Sequence, residues 1–251
     1  MKWLGYTPQN IFFASDYFDQ IYGHALTLIK KGKAFVCKLS KEEAKKLREE
    51  KKESPYRNKS VEENLEEFEK MRAGFYDEGE AVLRAKIDCS HPNPTMRDPP
   101  IYRVMFTPHP HVGDKWCVYP LYDFVHCISD SIEDISYSLC TLEFEIRRDL
   151  YYWFLNELDL YKPFVWEYSR MNLSYTVLSK RKLIQLVDSK VVDGWDDPRL
   201  LTVNGIKRRG VPPEAINEFC DLISVTRRGN DKVLHIDVFE FVVKRYLSAH
   251  C

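Results

Sequence analysis

The chain has 251 residues, 44% of them hydrophobic and 30% charged, with a formal net charge of −1. That is apolar material for one large core or two modest ones. Near-neutrality excludes a bulk pull toward nucleic acid or membrane, so any polyanion site must be a local patch.

No apolar run is long enough to span a bilayer, and the start "MKWLGYTPQN" has no signal-peptide apolar region. The seven cysteines, Cys37, Cys89, Cys117, Cys127, Cys140, Cys220 and Cys251, are scattered, with no C-x-x-C. They fit free thiols in a reducing compartment, not a disulfide framework or a zinc ribbon.

The first predicted helix is "SDYFDQIYGHALTLIKKGK", with Phe18, Ile21, Tyr22, Ala25, Leu28 and Ile29 on one face and Gly32 as its stop. "SKEE" at 40–43 and "SVEE" at 60–63 read as capping boxes, the second opening a helix through Leu65, Phe68 and Met71. "AVLRAKID" and "IYRVMF" read as strands, separated by the four-proline loop "SHPNPTMRDPP". "KWCVYP" reads as a short strand buried on both faces, followed by a helix through Phe124, Val125 and Ile128. "TLEFEIRRDLYYWFLNELDL" reads as a longer helix capped by Thr141, and "FVWEY" at 164–168 as another buried strand. This strand–helix–helix–strand order predicts half of a parallel α/β sheet. Beyond Leu183 the chain reads helical, with Pro212-Pro213 opening a helix through Ala215, Ile216, Phe219, Cys220 and Ile223. A last helix carries Val238, Phe241, Val242 and Tyr246.

The basic run Lys180-Arg181-Lys182 falls between a buried strand and a helix, so it is predicted as a loop at the carboxyl edge of the sheet, where ligands of open α/β sheets bind. Three adjacent cations repel one another and favour an anionic partner, although a lone K-R-K is more often a solvated surface run. Residues 162–210 hold ten Lys/Arg against five Asp/Glu, including "KRR" at 207–209. That local excess makes nucleic-acid phosphate the first candidate. Tyr122 and His126 are four apart and share a helical face. Both can donate and accept hydrogen bonds, which suits a neutral amide, though such a pair near a core helix is more often structural. His109 and His111 in "HPHVGDKW" have no acid or Cys at ligand spacing and read as a polar hairpin. G-x-S-x-G, Walker A and G-x-G-x-x-G motifs are all absent from the sequence.

"VLSKRKL" resembles the second signature, the KMSKS loop, of class I aminoacyl-tRNA synthetases. "ASDYFDQ", "SPYRNKSVEENLEEFEKMRAG", "LRAKID", "DKWCVYPLYDFVHCISDSIE", "SLCTLEFE", "EYSRMNL" and "DGWDDPRL" are similar to the glutaminyl-tRNA synthetases, from about Trp3 to about Thr226. The eukaryotic glutamyl-tRNA synthetases share "SKRKL" and "GWDDPR" and stand as the alternative. "HCISD" and "SLCTLEF" favour glutamine.

The resemblance implies the α/β class: the second half of a class I nucleotide-binding (Rossmann-like) fold, with an α+β acceptor-binding insertion and a helical stem-contact region. It divides the chain into 1–25, the end of a first catalytic half-fold, and 26–115, the acceptor-stem-binding insertion. Then come 116–182, the second half-fold with the KMSKS-like loop, and 183–251, the helical stem-contact region. It implies ATP-dependent activation of glutamine and transfer to its tRNA, with Lys180 catalytic. Arg170, Met171, Ser179 and Lys180 would meet ATP, and Tyr122 and His126 would meet glutamine. Arg181, Lys182, Lys207, Arg208 and Arg209 would meet tRNA. Mg2+ is expected with ATP and no structural metal is expected. The implied setting is cytoplasmic, without a membrane partner, and a multi-synthetase complex stays open.

The sequence also departs from the family. It contains no H-x-G-H, the carboxylate that the family sets against the amino-acid ammonium lies upstream of the matched region, and the anticodon-reading barrels have no counterpart. The expectation is therefore a catalytically incomplete fragment, or a synthetase-derived RNA-binding module without catalysis. "REEKKE" at 48–53 is short and fully charged where some relatives carry an apolar wedge, and Ile146 stands where some carry an acid.

Overall fold

The computed structural model describes residues 1–229 and 233–250. Cys251, and residues 230–232 of the predicted helical region, lie outside the described residues. The chain divides into two compact units, one of residues 12–140 and 144–166, the other of residues 1–11, 141–143 and 167–251.

The first unit begins with a 3-10 turn, Ala14–Tyr17, leading into α1 (Phe18–Lys30). All six apolar residues predicted on the inner face of α1 are buried. Gly32, at φ +66°, ends the helix by donating its N–H to the Ile29 carbonyl, while Lys33 N–H reaches that of Leu28. β1 (Ala34–Cys37) follows. α2 (Lys41–Glu49) and α3 (Val61–Arg72) both open on a reciprocal Ser–Glu capping box, Ser40 with Glu43 and Ser60 with Glu63. β2 (Val82–Ala85), β3 (Pro100–Val104) and β4 (Val118–Pro120) complete a four-stranded antiparallel sheet in sequential order. α1 and α3 pack on each other and on β1, around fully buried Phe68, Met71 and Leu83. Each such side chain contributes about 1.5–3 kcal/mol by leaving water. Asn64 is buried among them and satisfied: its Oδ1 accepts from Val36 N–H at 2.8 Å and its Nδ2 donates to the Ser60 carbonyl at 2.8 Å.

α4 (Tyr122–Ile132), β5 (Tyr137–Thr141), α5 (Arg148–Glu157) and β6 (Phe164–Tyr168) come next. α4 packs on α5, and β5 pairs with β6. Two expectations are corrected here. "KWCVYP" supplies β4, which pairs with β3 in the antiparallel sheet and not with β6. The segment 141–160 is not one helix. Thr141 ends β5, residues 142–147 form a 3-10 turn, and only Arg148–Glu157 is α-helical. The apolar spacing of 150–158 is truly helical, but Leu142, Phe144 and Ile146 belong to a tighter winding with no fully buried side chain. The predicted polar hairpin at 109–113 is present as the bridge between His109 and Gly113.

The second unit carries β7 (Asn172–Leu173), α6 (Lys180–Asp188), α7 (Val203–Arg208), α8 (Pro213–Ile223), β8 (Val233–Leu234) and α9 (Ile236–His250). β7 and β8 pair in parallel, Asn172 with Val233 and Leu173 with Leu234. α8 packs on α9 through Ala215, Phe219, Phe239 and Val242. Phe241, predicted on the inner face of α9, is exposed; Phe239 takes that place. The predicted Lys180–Lys182 loop is also corrected: all three residues lie in the first turn of α6.

Candidate functional site

In the first unit, α4 sets Tyr122 and His126 one turn apart. Their rings stack with centroids 5.3 Å apart and planes 27° apart. His126 Nε2 is 3.1 Å from Asp130 Oδ2, a further turn along the same face. Ser138, buried on β5, donates from Oγ to that Oδ2 at 2.6 Å, and Tyr151 of α5 donates its hydroxyl to it at 3.0 Å. Burial opposes charge on Asp130. The hydrogen bonds from His126, Ser138 and Tyr151 outweigh it and hold the carboxyl below its ordinary value. Burial raises the Tyr122 hydroxyl above its ordinary value, with nearby Cys140, Asp123 and Asp130 adding to the shift. Arg147 is the cation of this region, and it is committed to an ion pair with Asp123, its guanidinium over the Phe144 ring. The pair Tyr122–His126 thus faces no unspent cation among these neighbours.

The sequence reading missed Asp130, Ser138 and Tyr151. The i, i+4 spacing of His126 and Asp130 in "HCISD" was the available signal. Ser138 and Tyr151 come from other elements and left no local trace.

In the second unit, Arg170 Nη1 lies 3.4 Å from Glu143 Oε1, and Thr141 Oγ1 donates to Glu143 Oε2 at 3.1 Å. Met171 is exposed next to it, before β7. Glu167, fully buried on β6, pairs with Arg227 at 3.6 Å. After β7 the chain turns at Tyr175, φ +56° and exposed, and reaches Ser179, the N-cap of α6. The Ser179 hydroxyl makes no capping hydrogen bond. Lys180, Arg181 and Lys182 then fill the first turn, exposed, with no acidic residue there. Cations at the amino end of a helix work against its dipole, so this locus is short of negative charge.

The remaining basic candidates differ in availability. Lys207 lies over the Trp3 ring with its Nζ 5.7 Å from the centroid. Arg208 is 3.5 Å from Asp196, and Arg209 is 3.5 Å from Glu240, so both guanidinium groups already have intramolecular partners. Among the described residues no group of three or more His, Cys, Asp or Glu is placed to hold a metal ion, and no helix is long and apolar enough to cross a membrane.

Residues 1–248 match the family described as tRNA synthetases class I (E and Q), catalytic domain. The chain is 55% identical over 253 residues to a glutamine–tRNA ligase of Clostridium perfringens, covering 99% of this chain and 46% of that protein. It is 54% identical over 237 residues to that of Proteus mirabilis (92% and 43%) and 50% identical over 248 residues to that of Lupinus luteus (99% and 31%). It therefore spans between about a third and just under half the length of these relatives. A crystal structure of a glutamate tRNA ligase from Elizabethkingia meningosepticum shares the fold, with a TM-score of 0.63 at 15% identity over 99% of this chain and 58% of that one. These matches show that the chain belongs to the class I tRNA synthetases of the E and Q type and lies within their catalytic domain.

Proposed function

We propose that this chain serves a glutamine–tRNA ligase, in which glutamine is activated by ATP and then transferred to its tRNA. The observation that carries the choice of amino acid is the stacked Tyr122–His126 pair, whose neighbouring guanidinium, Arg147, is spent on Asp123. A neutral pair that both donates and accepts suits a side-chain amide, whereas a carboxylate reader needs an available cation. The glutamine–tRNA ligases at 50–55% identity support the same choice.

In the first step the glutamine carboxylate attacks the α-phosphorus of ATP. A bond forms from oxygen to phosphorus, and the bond to pyrophosphate breaks. Catalysis of such an in-line displacement rests on positioning and on neutralising charge as it moves onto the leaving group. Lys180 is assigned to that charge, from a helix start already poor in negative partners. Arg170, Met171 and Ser179 are assigned to ATP, and Mg2+ would travel on its phosphates. In the second step a terminal ribose hydroxyl of the tRNA attacks the acyl carbon and AMP leaves. Arg181, Lys182, Lys207, Arg208 and Arg209 are assigned to tRNA phosphates, which position without reading sequence. A cytoplasmic setting is supported by the Arabidopsis thaliana relative, 49% identical over 99% of this chain, whose name carries that location.

The test is a chimera in which this chain replaces the matching segment of the Proteus mirabilis ligase. ATP–pyrophosphate exchange dependent on glutamine and not on glutamate is the expected result. Exchange driven equally by glutamate would remove the glutamine reading.

A further inference from the structure

β1 buries residues on both of its faces. Ala34 and Val36 belong to the core shared with α1 and α3. Phe35 and Cys37 are buried too, but alternate onto the opposite face, where Phe35 stands across from Arg84 of β2. α2 contributes no fully buried side chain; its Ala44 and Leu47 are half-buried. Between α2 and this face of the sheet lies a hollow of about 340 Å3, its open mouth included, with Phe35, Cys37, Ala44 and Leu47 in its apolar part.

The charge around the hollow is one-sided. Arg48, Lys52, Arg84 and Arg97 line it, against one carboxylate, Asp98. Both oxygens of Asp98 are taken, by Arg57 Nε and by Ile87 N–H. Lys52 pairs with Glu50 at 2.8 Å. Arg97 donates to the main-chain carbonyls of His91, Arg48 and Pro92, and Arg84 to that of Asp98. These bonds tie the four-proline loop in place, but a carbonyl carries no net charge, so neither guanidinium is neutralised by them. Arg48 is exposed and has no side-chain partner among the described residues.

We propose that this hollow binds a small phosphate monoester, with an apolar body no larger than a single ring against Phe35 and Leu47 and its phosphate on Arg48, Arg84 and Arg97. An apolar cleft with a few convergent polar groups is the usual form of a small-molecule site. Guanidinium groups meet oxyanions through paired N–H donors, and three of them suit a doubly charged head better than a singly charged carboxylate. A bare phosphate ion would leave the apolar part of the hollow uncovered. None of these residues is assigned above to ATP, glutamine or tRNA. The resemblance does place them in the acceptor-stem-binding insertion, so RNA is the competing occupant, and the test separates the two.

The probe is phenylphosphate, and the reporter is Cys89, a half-buried thiol that lines the hollow. Iodoacetamide alkylation of the whole chain is followed cysteine by cysteine, at alkaline pH because burial raises the Cys89 thiol. Saturating phenylphosphate should slow alkylation of Cys89 several-fold and leave exposed Cys220 unchanged. Arg48→Ala removes a side chain that has no partner to lose, so the fold should stand. It should raise the half-protecting concentration about tenfold, the worth of one charge-assisted hydrogen bond. Ala44→Phe, which fills the hollow from α2, should abolish the protection. No protection of Cys89 by phenylphosphate overturns the proposal. Equal protection by inorganic phosphate overturns the apolar half of the site, and equal protection by phenol overturns the charged half. Protection by an acceptor minihelix that Arg48→Ala removes would make the hollow an RNA contact and overturn the small-molecule reading.

Discussion

Arg57 Nε donates to Asp98 Oδ2 at 2.7 Å, with both side chains nearly out of solvent. The other carboxylate oxygen of Asp98 accepts from Ile87 N–H at 2.8 Å, and its main-chain carbonyl accepts from Arg84 Nη1 at 2.9 Å. One residue thereby ties the four-proline loop to β2 and to the segment after α2. Asp98→Ala would leave the largely buried Arg57 guanidinium with only Glu53, 3.2 Å away, and the Ile87 carbonyl as partners, a loss of about 3 kcal/mol, at the low end for a broken buried pair. Urea unfolding measures it, and a loss below about 1 kcal/mol would show that the loop is held by other contacts.

Glu67 gives a pH prediction. Burial opposes its charge, but hydrogen bonds from Lys38 and Tyr76 dominate and bring its carboxyl down to about 2 from an ordinary value of 4.5. The folded state therefore binds its proton later than the unfolded state. The stabilisation is fully present above about 4.5 and is lost as pH falls toward about 2. Denaturant unfolding of the wild type and Glu67→Gln should give stabilities that converge as pH falls through that window. Parallel curves would contradict the assignment.

Gly205 opens the route of α7 past its own preceding turn. A Cβ there would stand 2.4 Å from the Leu200 carbonyl oxygen and 2.6 Å from that of Asp197. Both obstacles are backbone, and Asp197 is fixed in turn by its hydrogen bonds to Arg199. Gly205→Ala should destabilise by about 1–3 kcal/mol through forced backbone displacement. A thermal melt unchanged from wild type would mean the turn can move aside.

Lys180→Ala in the chimera should slow pyrophosphate exchange by about 10²–10³ while the KM for glutamine stays nearly unchanged. A charge aimed at the leaving group acts mostly in the transition state. Matching losses in ATP affinity and in rate would make Lys180 a ground-state phosphate ligand.

Binding of an acceptor minihelix should weaken steeply with salt, because phosphate contacts release counterions. Arg181→Ala and Lys182→Ala should each lower the salt slope by about 0.9. Arg208→Ala and Arg209→Ala should lower it less, since their guanidinium groups already pair with Asp196 and Glu240. A salt-independent affinity would remove the phosphate-facing reading of this region.

Elements with local chemical marks were legible. The capping boxes at Ser40 and Ser60, the stripe of α1 and the Pro212-Pro213 start of α8 all name their positions through neighbours three or four residues away. β4 was legible as a strand but not by its partner, because a three-residue apolar run carries no register. The first turn of α6 was hidden for a different reason. Three cations at a helix start contradict ordinary charge preference, and sequence reasoning placed them in a loop. At the candidate site, Tyr122 and His126 were readable from helical spacing. The carboxylate behind them takes its meaning from Ser138 and Tyr151, which only the packing of β5 and α5 brings near.

The two-residue pairing of β7 with β8 bears on the order in which the molecule assembles. Asn172 meets Val233 across some sixty intervening residues, and Ser174 N–H donates to the Leu234 carbonyl at 2.8 Å. Closing so long a loop for so few hydrogen bonds is entropically slow. During synthesis, the stretch that carries Arg170 toward Ser179 has to wait for β8 to leave the ribosome before it can adopt this path. A nascent chain stalled short of Val233 should leave that stretch open to protease, and one stalled well beyond α9 should protect it.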